Sequence, residues 1–268
     1  MNKEDLVSVI MPTYNAGKYL ADSINSILNQ SYKNLELLIT DDASTDPTTL
    51  QLLQEFASKD NRVDILYLKE NHGAGYARNK SIERAKGRYI AFCDSDDRWT
   101  TDKLEKQIAF MNKKKCALSC ASYIIFDGET QNEIGFCTAP KKITYGMMKR
   151  DNKVGCLTAI YDIKMLGRKF FMPTIRKRQD WALFLQIIRE CKVCYAYPNK
   201  PLAYYCMRRN SISSNKMSLM KYNIAVYKEI LGFHPIKANL YFFTLFLPTY
   251  GAKILKRKFD SYTFTHQK

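Results

Sequence analysis

Long apolar runs are absent from this sequence of 268 residues. The nearly unbroken apolar stretch 238–247 is about half of the ~20 residues that a helix needs to cross a bilayer. Near the start, residues 7–11 form a short apolar run preceded by acidic side chains, whereas a secretion signal requires positive charge and a longer run. We therefore expect neither a membrane-spanning helix nor a secretion signal, and we expect the protein to be cytoplasmic.

Internal repeats, low-complexity segments and linkers rich in Pro, Gly or Ser are also absent. The chain is long enough to bury one large hydrophobic core. We expect a single domain over residues 1–214, followed by a helical, basic C-terminal extension over residues 215–268.

Cysteines at metal-binding spacing are scarce. The chain has eight cysteines, of which Cys191 and Cys194 form the only C-x-x-C pair, and no second pair lies at zinc-finger distance. Val193 and Tyr195 beside them are typical of a strand. We expect these cysteines to be buried and reduced, as in a cytoplasmic protein, without a role in metal binding.

Acidic residues are scarce in the second half of the chain. Residues 1–140 contain 17 Lys and Arg and 20 Asp and Glu, a difference of −3, whereas residues 141–268 contain 25 and 6, a difference of +19. Such a basic half indicates a polyanionic neighbour. Nucleic acid, an anionic membrane surface and a phosphorylated substrate all fit, and composition does not choose among them.

Short apolar strands do alternate with amphipathic helices over the first 113 residues. Strands are predicted at 6–11, 35–40, 63–68 and 89–93, and helical periods follow Gly17, follow Pro47 and precede Gly87. This βαβα order predicts an α/β fold with a mostly parallel sheet covered by helices. Further strands are predicted at 116–126, 133–138, 157–161, 192–197 and 202–207. Helices are predicted at 180–190, at 214–232 and over the apolar run that Pro248 ends.

Polar residues follow three of these strands, at 12–15, 41–44 and 94–97. Because ligands of such sheets lie outside the carboxyl ends of the strands, these residues should meet at one rim. Asp94, Asp96 and Asp97 crowd three carboxylates together, which is costly unless a cation neutralises them, and hard oxygen ligands suit magnesium or manganese. The alternative is a solvated acidic turn that caps the following helix.

Two further segments fit a nucleotide at this rim. Asp42 can accept hydrogen bonds from a uracil or ribose, whereas Asp46, before a proline, is a typical helix cap. The segment HGAGYARN lacks the last glycine of a dinucleotide-binding loop. The segment is better interpreted as a helix N-terminus that lies beside a phosphate, with Arg78 or Asn79 facing the nucleotide. A surface helix without a ligand is the alternative for Arg78.

The segments VSVIMPTYN, ITDDASTD, GAGYARNKSIERAKGRYIAFCDSDD and RKRQDWALFLQII, in this order and at these separations, resemble the family 2 glycosyltransferases with a GT-A fold. The resemblance covers residues 6–215 and is strongest to bacterial enzymes that assemble capsule, O-antigen or teichuronic-acid polysaccharide, in which a segment like YYCMRRNSISSNK recurs. It implies a Rossmann-like domain, inverting transfer from a nucleoside-diphosphate sugar, usually a UDP-sugar, and a divalent metal, Mn or Mg.

The resemblance also implies residue roles. Asp42 would bind the uracil, Asp94 would contact the ribose or sugar, and Asp96 would bind the metal that bridges the diphosphate. Asp94 is the second predicted metal ligand, and Asp97 is a third carboxylate at the same turn. The residues predicted to bind the nucleotide-sugar are Pro12, Thr13, Tyr14, Asn15, Asp42, Arg78, Asn79, Asp94, Ser95, Asp96, Arg208 and Ser211.

Asp180 stands where these relatives carry an acidic residue at a helix start, and it is the predicted general base. A helix N-terminus keeps a carboxylate ionised, so that it can accept the proton of an attacking hydroxyl. Helix capping is the alternative. The neighbouring Trp181 could stack on a sugar, but its place in an apolar helical stripe favours core packing.

Two basic segments leave alternatives open. Many relatives carry a histidine, which helps to hold the metal or diphosphate, near the position of Asn210. Arg208 and Ser211 remain candidate diphosphate contacts, with a solvated turn as the alternative. At the C-terminal end, the basic residues 256–258 follow the apolar run. An interfacial segment on anionic lipid and a core helix with a frayed basic tail are both consistent with this pattern.

The sequence therefore predicts an inverting glycosyltransferase of cell-surface polysaccharide synthesis. It would move a hexose or N-acetylhexosamine from a UDP-sugar to a lipid-diphosphate-linked saccharide, at the inner face of the cell membrane and without a nucleic-acid partner. A nucleic-acid-binding protein is one alternative, suggested by the net charge of +16. A sugar nucleotidyltransferase is another, but it would be expected to carry a Gly-rich basic loop where residues 12–15 stand.

Overall fold

The structure, a computed structural model, describes residues 5–208 and 216–266. Its strands are β1 (Val7–Thr13), β2 (Leu35–Asp41), β3 (Val63–Tyr67), β4 (Tyr89–Phe92), β5 (Arg98–Trp99), β6 (Leu118–Asp127), β7 (Glu133–Cys137), β8 (Lys142–Thr144), β9 (Ile160–Asp162) and β10 (Val193–Met207). Its helices are α1 (Leu20–Leu28), α2 (Pro47–Lys59), α3 (Ala74–Arg84), α4 (Lys103–Lys114), α5 (Tyr145–Arg150), α6 (Ile163–Leu166), α7 (Gln179–Cys191), α8 (Lys216–Ala225), α9 (Pro235–Tyr241) and α10 (Leu247–His266).

One mixed sheet organises the described residues, in the order β3-β2-β1-β4-β9-β6-β10-β5, with β7 beside β6 and β8 beside β10. The strands β3, β2, β1 and β4 are all parallel, and β6 is parallel to β10. The remaining pairs are antiparallel. The predicted parallel α/β half is therefore confirmed for the first four strands and their helices.

Helices cover both faces of this sheet. Along β1, Val9 and Met11 belong to a core cluster that contains Ile24 of α1 and Leu53 of α2, whereas Ile10 belongs to a second cluster on the other face. This division follows from the alternation of side chains along a strand. Because both faces are covered, all seven residues of β1 are buried, and apolar side chains predominate among them.

The second core cluster joins the C-terminal helices to the rest of the chain. Trp181 of α7 is fully buried in it, and its indole packs against Tyr227 and Phe246. Its Nε1 donates a hydrogen bond to the Met148 carbonyl at 2.7 Å. Core packing, the favoured interpretation of Trp181, is confirmed. The division of the chain at residue 214 stays a prediction.

Prolines affect two of the predicted elements. The segments 192–197 and 202–207 were expected as separate strands, but they belong to the single strand β10, whose register against β6 shifts around Pro201 because proline cannot donate a ladder hydrogen bond. Pro248 ends the apolar run in the sequence but not the helix, which continues from α9 through the π-helical turn Phe242–Phe246 into α10, as expected of a helical extension. Pro248 has no amide N–H to donate to the fourth preceding carbonyl, and the π-helical turn, which departs from that bonding pattern, ends just before it.

Two smaller predictions also need correction. The expected strand 157–161 begins with a 3-10 turn, Cys156–Thr158, and only Ile160–Asp162 pairs as β9. The expected helix 214–232 ends in the π-helical turn Val226–Ile230, before Gly232 at φ 66°. Within the described part of the chain, no helix has both the length and the apolar character needed to cross a membrane.

Candidate active site

The carboxyl ends of β1, β2 and β4 meet at one rim, as predicted from their parallel order. Thr13 pairs with Asp41 in the ladder, and the Asp42 amide donates to the Thr13 carbonyl at 2.8 Å. On the other side of β1, the amide of Cys93 donates to the carbonyl of Ile10 at 3.1 Å, which places the acidic turn directly beside β1. The hydroxyl of Thr13 is buried and has no hydrogen-bond partner among the described residues.

Asp42 fixes the loop that leads into α3. Its two carboxylate oxygens accept the amides of His72 and Gly73 at 2.8 and 2.7 Å. Gly73 has a φ of 89°, in the left-handed region that favours glycine. Asp42 is 2% exposed, so its side chain shapes the floor of the rim. The predicted contact between Asp42 and uracil stays a prediction.

Asn15 ties the first two rim loops together. Its side-chain oxygen accepts the amides of Thr45 and Asp46, both at 2.9 Å, and its own amide donates to Ser44 Oγ. Asp46 in turn caps α2 by accepting the amide of Thr49, as expected. Pro12 lies in the buried part of β1, whereas Tyr14, just after the strand, is 52% exposed.

The acidic turn after β4 divides its carboxylates among three partners. Asp94 accepts Nη2 of Arg78 at 2.5 Å, and Asp96 accepts Nη2 of Arg208 at 2.5 Å. Asp97 is buried and accepts the amide of Cys206 on β10 at 2.9 Å. Asp97 therefore anchors the turn to the sheet, while Asp94 and the more buried Asp96 are each paired with an arginine. Ser95, between them, is half-buried.

Burial and like charges oppose ionisation in this turn. Burial raises the pKa of Asp96, the charge of Asp94 raises it further, and Arg208 opposes the shift. The pKa of Asp97 is held well above its usual value by burial and then by Asp96 and Asp94. Burial lowers the pKa of Arg78, but Asp94 more than compensates, with a further contribution from Asp180, so the guanidinium keeps its charge. The turn therefore favours an added cation.

The carboxylates of the turn fit a metal ion whose coordination is completed by a bound substrate. Among residues 5–208 and 216–266, no three His, Cys, Asp or Glu side chains are grouped so that they could enclose a metal ion. Mg²⁺, and Mn²⁺ by similar preference, is often held by one or two carboxylates together with substrate phosphates and water. Asp94 and Asp96 supply such a pair, and burial, followed by the charge of Asp94, raises the pKa of Asp96, so a cation bound there would stabilise its ionised form.

Asp180 shares the electrostatic environment of this turn although it is distant in sequence. It lies in the first turn of α7, and its Oδ2 accepts Nδ2 of Asn152 at 2.8 Å. The buried thiol of Cys156 lies close enough to the same charged groups to be affected by them. Burial raises the pKa of this thiol, Arg78 lowers it, and Asp180 and Asp94 raise it. Arg78 thus interacts with the acidic turn and with the predicted base.

Two predicted nucleotide contacts have packing partners in the structure. The carboxamide of Asn79 exchanges hydrogen bonds with the amide and carbonyl of Met172, at 2.7 and 2.8 Å. Arg208 lies over the ring of Tyr19, 5.4 Å from its centroid. Ser211, together with the other residues of 209–215, lies outside the described residues. The nucleotide contacts of all three stay predictions.

Asn152 and Lys253 are the site residues that sequence reasoning missed. Lys253 of α10 donates to the carbonyl of Asn152 at 2.6 Å and pairs with buried Asp151 at 3.0 Å, while Asn152 holds Asp180. Neither residue belongs to a recognisable motif. Only the fold shows that a helix from the C-terminal end of the chain supports the loop behind the predicted base.

Comparison with known proteins extends these observations. The profile described as Glycosyl transferase family 2 matches residues 8–172. A Bacillus subtilis protein named for a role as a glycosyltransferase of teichuronic acid biosynthesis, TuaG, is 43% identical over 89% of this chain and 93% of its own length. The Escherichia coli UDP-Glc:alpha-D-GlcNAc-diphosphoundecaprenol beta-1,3-glucosyltransferase WfgD is 38% identical over 81% of this chain and 83% of its own.

Solved structures share the fold at lower identity. Residues 1–349 of S. aureus TarS superpose with a TM-score of 0.68 at 21% identity, covering 92% of this chain and 72% of that one. The mannosyltransferase PcManGT from Pyrobaculum calidifontis, solved with GDP-Man and Mn²⁺, superposes with a TM-score of 0.66 at 17% identity, covering 95% of this chain and 75% of that one. The expected GT-A-type sheet with flanking helices is confirmed. From the profile match and the two close relatives, we conclude that this chain belongs to glycosyl transferase family 2 and is a glycosyltransferase.

Proposed function

We propose that the protein transfers a hexose or N-acetylhexosamine, with inversion, from a UDP-sugar to a hydroxyl of a lipid-diphosphate-linked saccharide during cell-surface polysaccharide synthesis. One observation carries the proposal: buried Arg78 pairs with Asp94 at 2.5 Å and also interacts electrostatically with Asp180, whose charge raises the pKa of Arg78. The acidic turn and the candidate base therefore both lie within electrostatic range of one buried guanidinium. This arrangement fits a donor diphosphate at the acidic turn and an acceptor hydroxyl at Asp180.

The names of similar proteins support the donor and acceptor classes. WfgD and a second Escherichia coli relative, WfaP, are UDP-Glc transferases that act on a diphosphoundecaprenol-linked sugar, and TarS has been solved with UDP-GlcNAc. TuaG is named for a polysaccharide of the cell surface. We infer the same classes here, a UDP-sugar and a lipid-diphosphate acceptor, without choosing the sugar.

The donor would lie across the rim. The nucleoside would contact Thr13, whose buried hydroxyl lacks a partner among the described residues, and the neighbouring Asp42. Its diphosphate would lie at Asp94 and Asp96. Asp94 and Asp96 would hold a divalent metal there, and this metal would supply positive charge that stabilises the departing UDP. Arg208, which is 39% exposed, has room to turn from Asp96 toward the diphosphate.

The transfer step would depend on Asp180. Its carboxylate accepts the proton of the acceptor hydroxyl while that oxygen forms a bond to the anomeric carbon. The bond from this carbon to the diphosphate oxygen breaks, and its electron pair leaves with UDP. Attack opposite to the leaving group inverts the configuration. The α7 dipole and the hydrogen bond from Asn152 keep the carboxylate oriented for this proton transfer.

Purified protein with Mn²⁺ or Mg²⁺ and a panel of UDP-sugars tests the proposal. Thermal shift should identify the donor, and transfer to a synthetic diphosphate-lipid saccharide should release UDP. Asp96→Asn and Asp180→Asn should each lose activity by about 10²–10⁴-fold while remaining folded. If neither UDP binding nor hydrolysis of any UDP-sugar occurred, the proposal would fail. Full activity of either variant would remove that residue from its role.

A further inference from the structure

The helix that runs from Pro235 to His266 carries an unusual row of apolar side chains on its outer face. Ile236 is 75% exposed, and Leu255 and Phe259 are each 70% exposed. All members of the row are more than one third exposed: Ile236, Leu240, Phe243, Leu247, Leu255, Phe259 and Tyr262. We call these seven residues the outer apolar row.

The outer apolar row is separate from the core. Its members are three or four residues apart, except that Leu247 and Leu255 are eight apart with Gly251 midway between them, so they follow one side of the helix. The opposite face carries Ala238, Phe242 and Phe246, which are buried in the cluster of Trp181. The helix is therefore packed on one side and apolar on the other, and exposed apolar surface of this extent marks an interaction site.

Charge identifies the partner. Residues 235–266 contain five Lys and Arg and a single acidic residue, Asp260. Lys256, Arg257 and Lys258, all exposed, lie beside Leu255 and Phe259. An apolar face with basic residues next to it is the pattern of a helix that lies in the interface of an anionic bilayer. A second copy of the chain would bring two strongly basic surfaces together, which repel each other.

We propose that the outer apolar row docks the protein on an anionic lipid surface, with the helix parallel to the membrane plane. The inner side of the same helix supports the reaction site, because Lys253 holds the Asn152 carbonyl and Asn152 holds Asp180. Docking would therefore present the candidate base close to the lipid surface. This last step rests on the proposed function, since it assumes an acceptor whose diphosphate is anchored in the bilayer.

Vesicle co-sedimentation of the full chain tests the docking directly. We expect the protein to bind vesicles of phosphatidylcholine with phosphatidylglycerol, to bind phosphatidylcholine alone weakly, and to dissociate as salt is raised. The double change Leu255→Ser and Phe259→Ser should weaken binding roughly tenfold or more. Lys258→Gln should weaken binding to the anionic vesicles by about fivefold. Met165→Ser, at a 49% exposed methionine of α6, is the matched control and should bind as the wild type does.

Three outcomes would overturn the docking proposal. They are wild-type protein that stays in the supernatant at low salt, a double variant that sediments as well as the wild type, and a wild-type dimer that the double change dissociates in light scattering. Transfer to a short-chain, water-soluble acceptor separates this proposal from the proposed function. The double variant should keep that transfer, whereas a wild type that binds vesicles but transfers nothing would contradict the enzyme proposal alone.

Discussion

Asn152 donates a hydrogen bond from its side-chain nitrogen to Oδ2 of Asp180 across 2.8 Å. The backbone carbonyl of Asn152 is in turn held by Lys253, and the neighbouring Asp151 is paired with both Lys153 and Lys253. A loop with no recognisable motif is thereby fixed at both its backbone and its side chain. This arrangement makes Asn152 a positioning residue for the candidate base.

Replacing Asn152 should affect the chemical step more than donor binding. We expect Asn152→Ala to lower kcat by about tenfold or more, because a carboxylate that is free to rotate is less often aligned with the hydroxyl. The KM for the UDP-sugar should change little. Steady-state kinetics measure both, and a rise in donor KM at constant kcat would contradict a positioning role.

A double-mutant cycle makes the same prediction sharper. In the background of Asp180→Asn, the additional change Asn152→Ala should cost little further activity, since the oriented carboxylate is already absent. Full additivity of the two losses would show that Asn152 acts independently of Asp180.

The carboxylates of the acidic turn should respond differently to neutralisation. Asp97→Asn keeps an oxygen that accepts the Cys206 amide, and it replaces by a neutral group a buried carboxyl whose ionisation is already opposed by burial and by Asp96. We therefore expect this variant to fold and to retain activity within about tenfold of the wild type, whereas Asp96→Asn should lose about 10²-fold or more. Activity assays over a series of Mn²⁺ concentrations compare the two, and equal losses would contradict the division of roles.

Asp42 should contribute to stability as well as to the rim. Asp42→Ala would leave the buried amides of His72 and Gly73 without their acceptors, which we expect to lower the free energy of unfolding by about 3 kcal/mol. Urea denaturation measures this difference. Asp64→Ala removes a 60% exposed carboxylate and is the matched control, with little change expected. Equal stability of the two variants would show that the loop does not depend on Asp42.

Lys103 predicts a dependence of stability on pH. Its ammonium is buried over the ring of Trp99 at 4.0 Å, and burial lowers its pKa from 10.5 to about 7. Between these values the unfolded chain binds a proton that the folded protein lacks, so stability should rise as the pH increases through this window.

Substitution of Lys103 separates this contribution from those of other groups. Lys103→Met keeps the packing volume and removes the titrating amine. We therefore expect a higher thermal midpoint near neutral pH, and a smaller rise of that midpoint between pH 7 and pH 10, than in the wild type. Lys113→Met, at an exposed position of α4, should leave the slope unchanged. Identical slopes for wild type and Lys103→Met would mean that the buried amine stays charged.

Much of the first half of the fold follows from the sequence alone. The strands β1 to β4 and the helices between them have local periodicities, and the rule that ligands lie at the carboxyl ends of parallel strands brings Thr13, Asp42 and Asp94 to one rim. The capping of α2 by Asp46 and the core position of Trp181 were predicted for similar local reasons.

The remaining features depend on contacts between distant segments. Three of them join residues that no sequence motif connects: the register of β10 against β6, the pair of Arg78 with Asp94, and the hydrogen bond from Asn152 to Asp180. A fourth, the helix that continues past Pro248, overrides a residue that usually ends helices. Sequence periodicity therefore determined which strands and helices form and where polar residues gather. Tertiary packing decided which carboxylate is anchored to the sheet, which are paired with arginines and which face of the last helix stays exposed. Each of these depends on partners that only the folded chain brings close together.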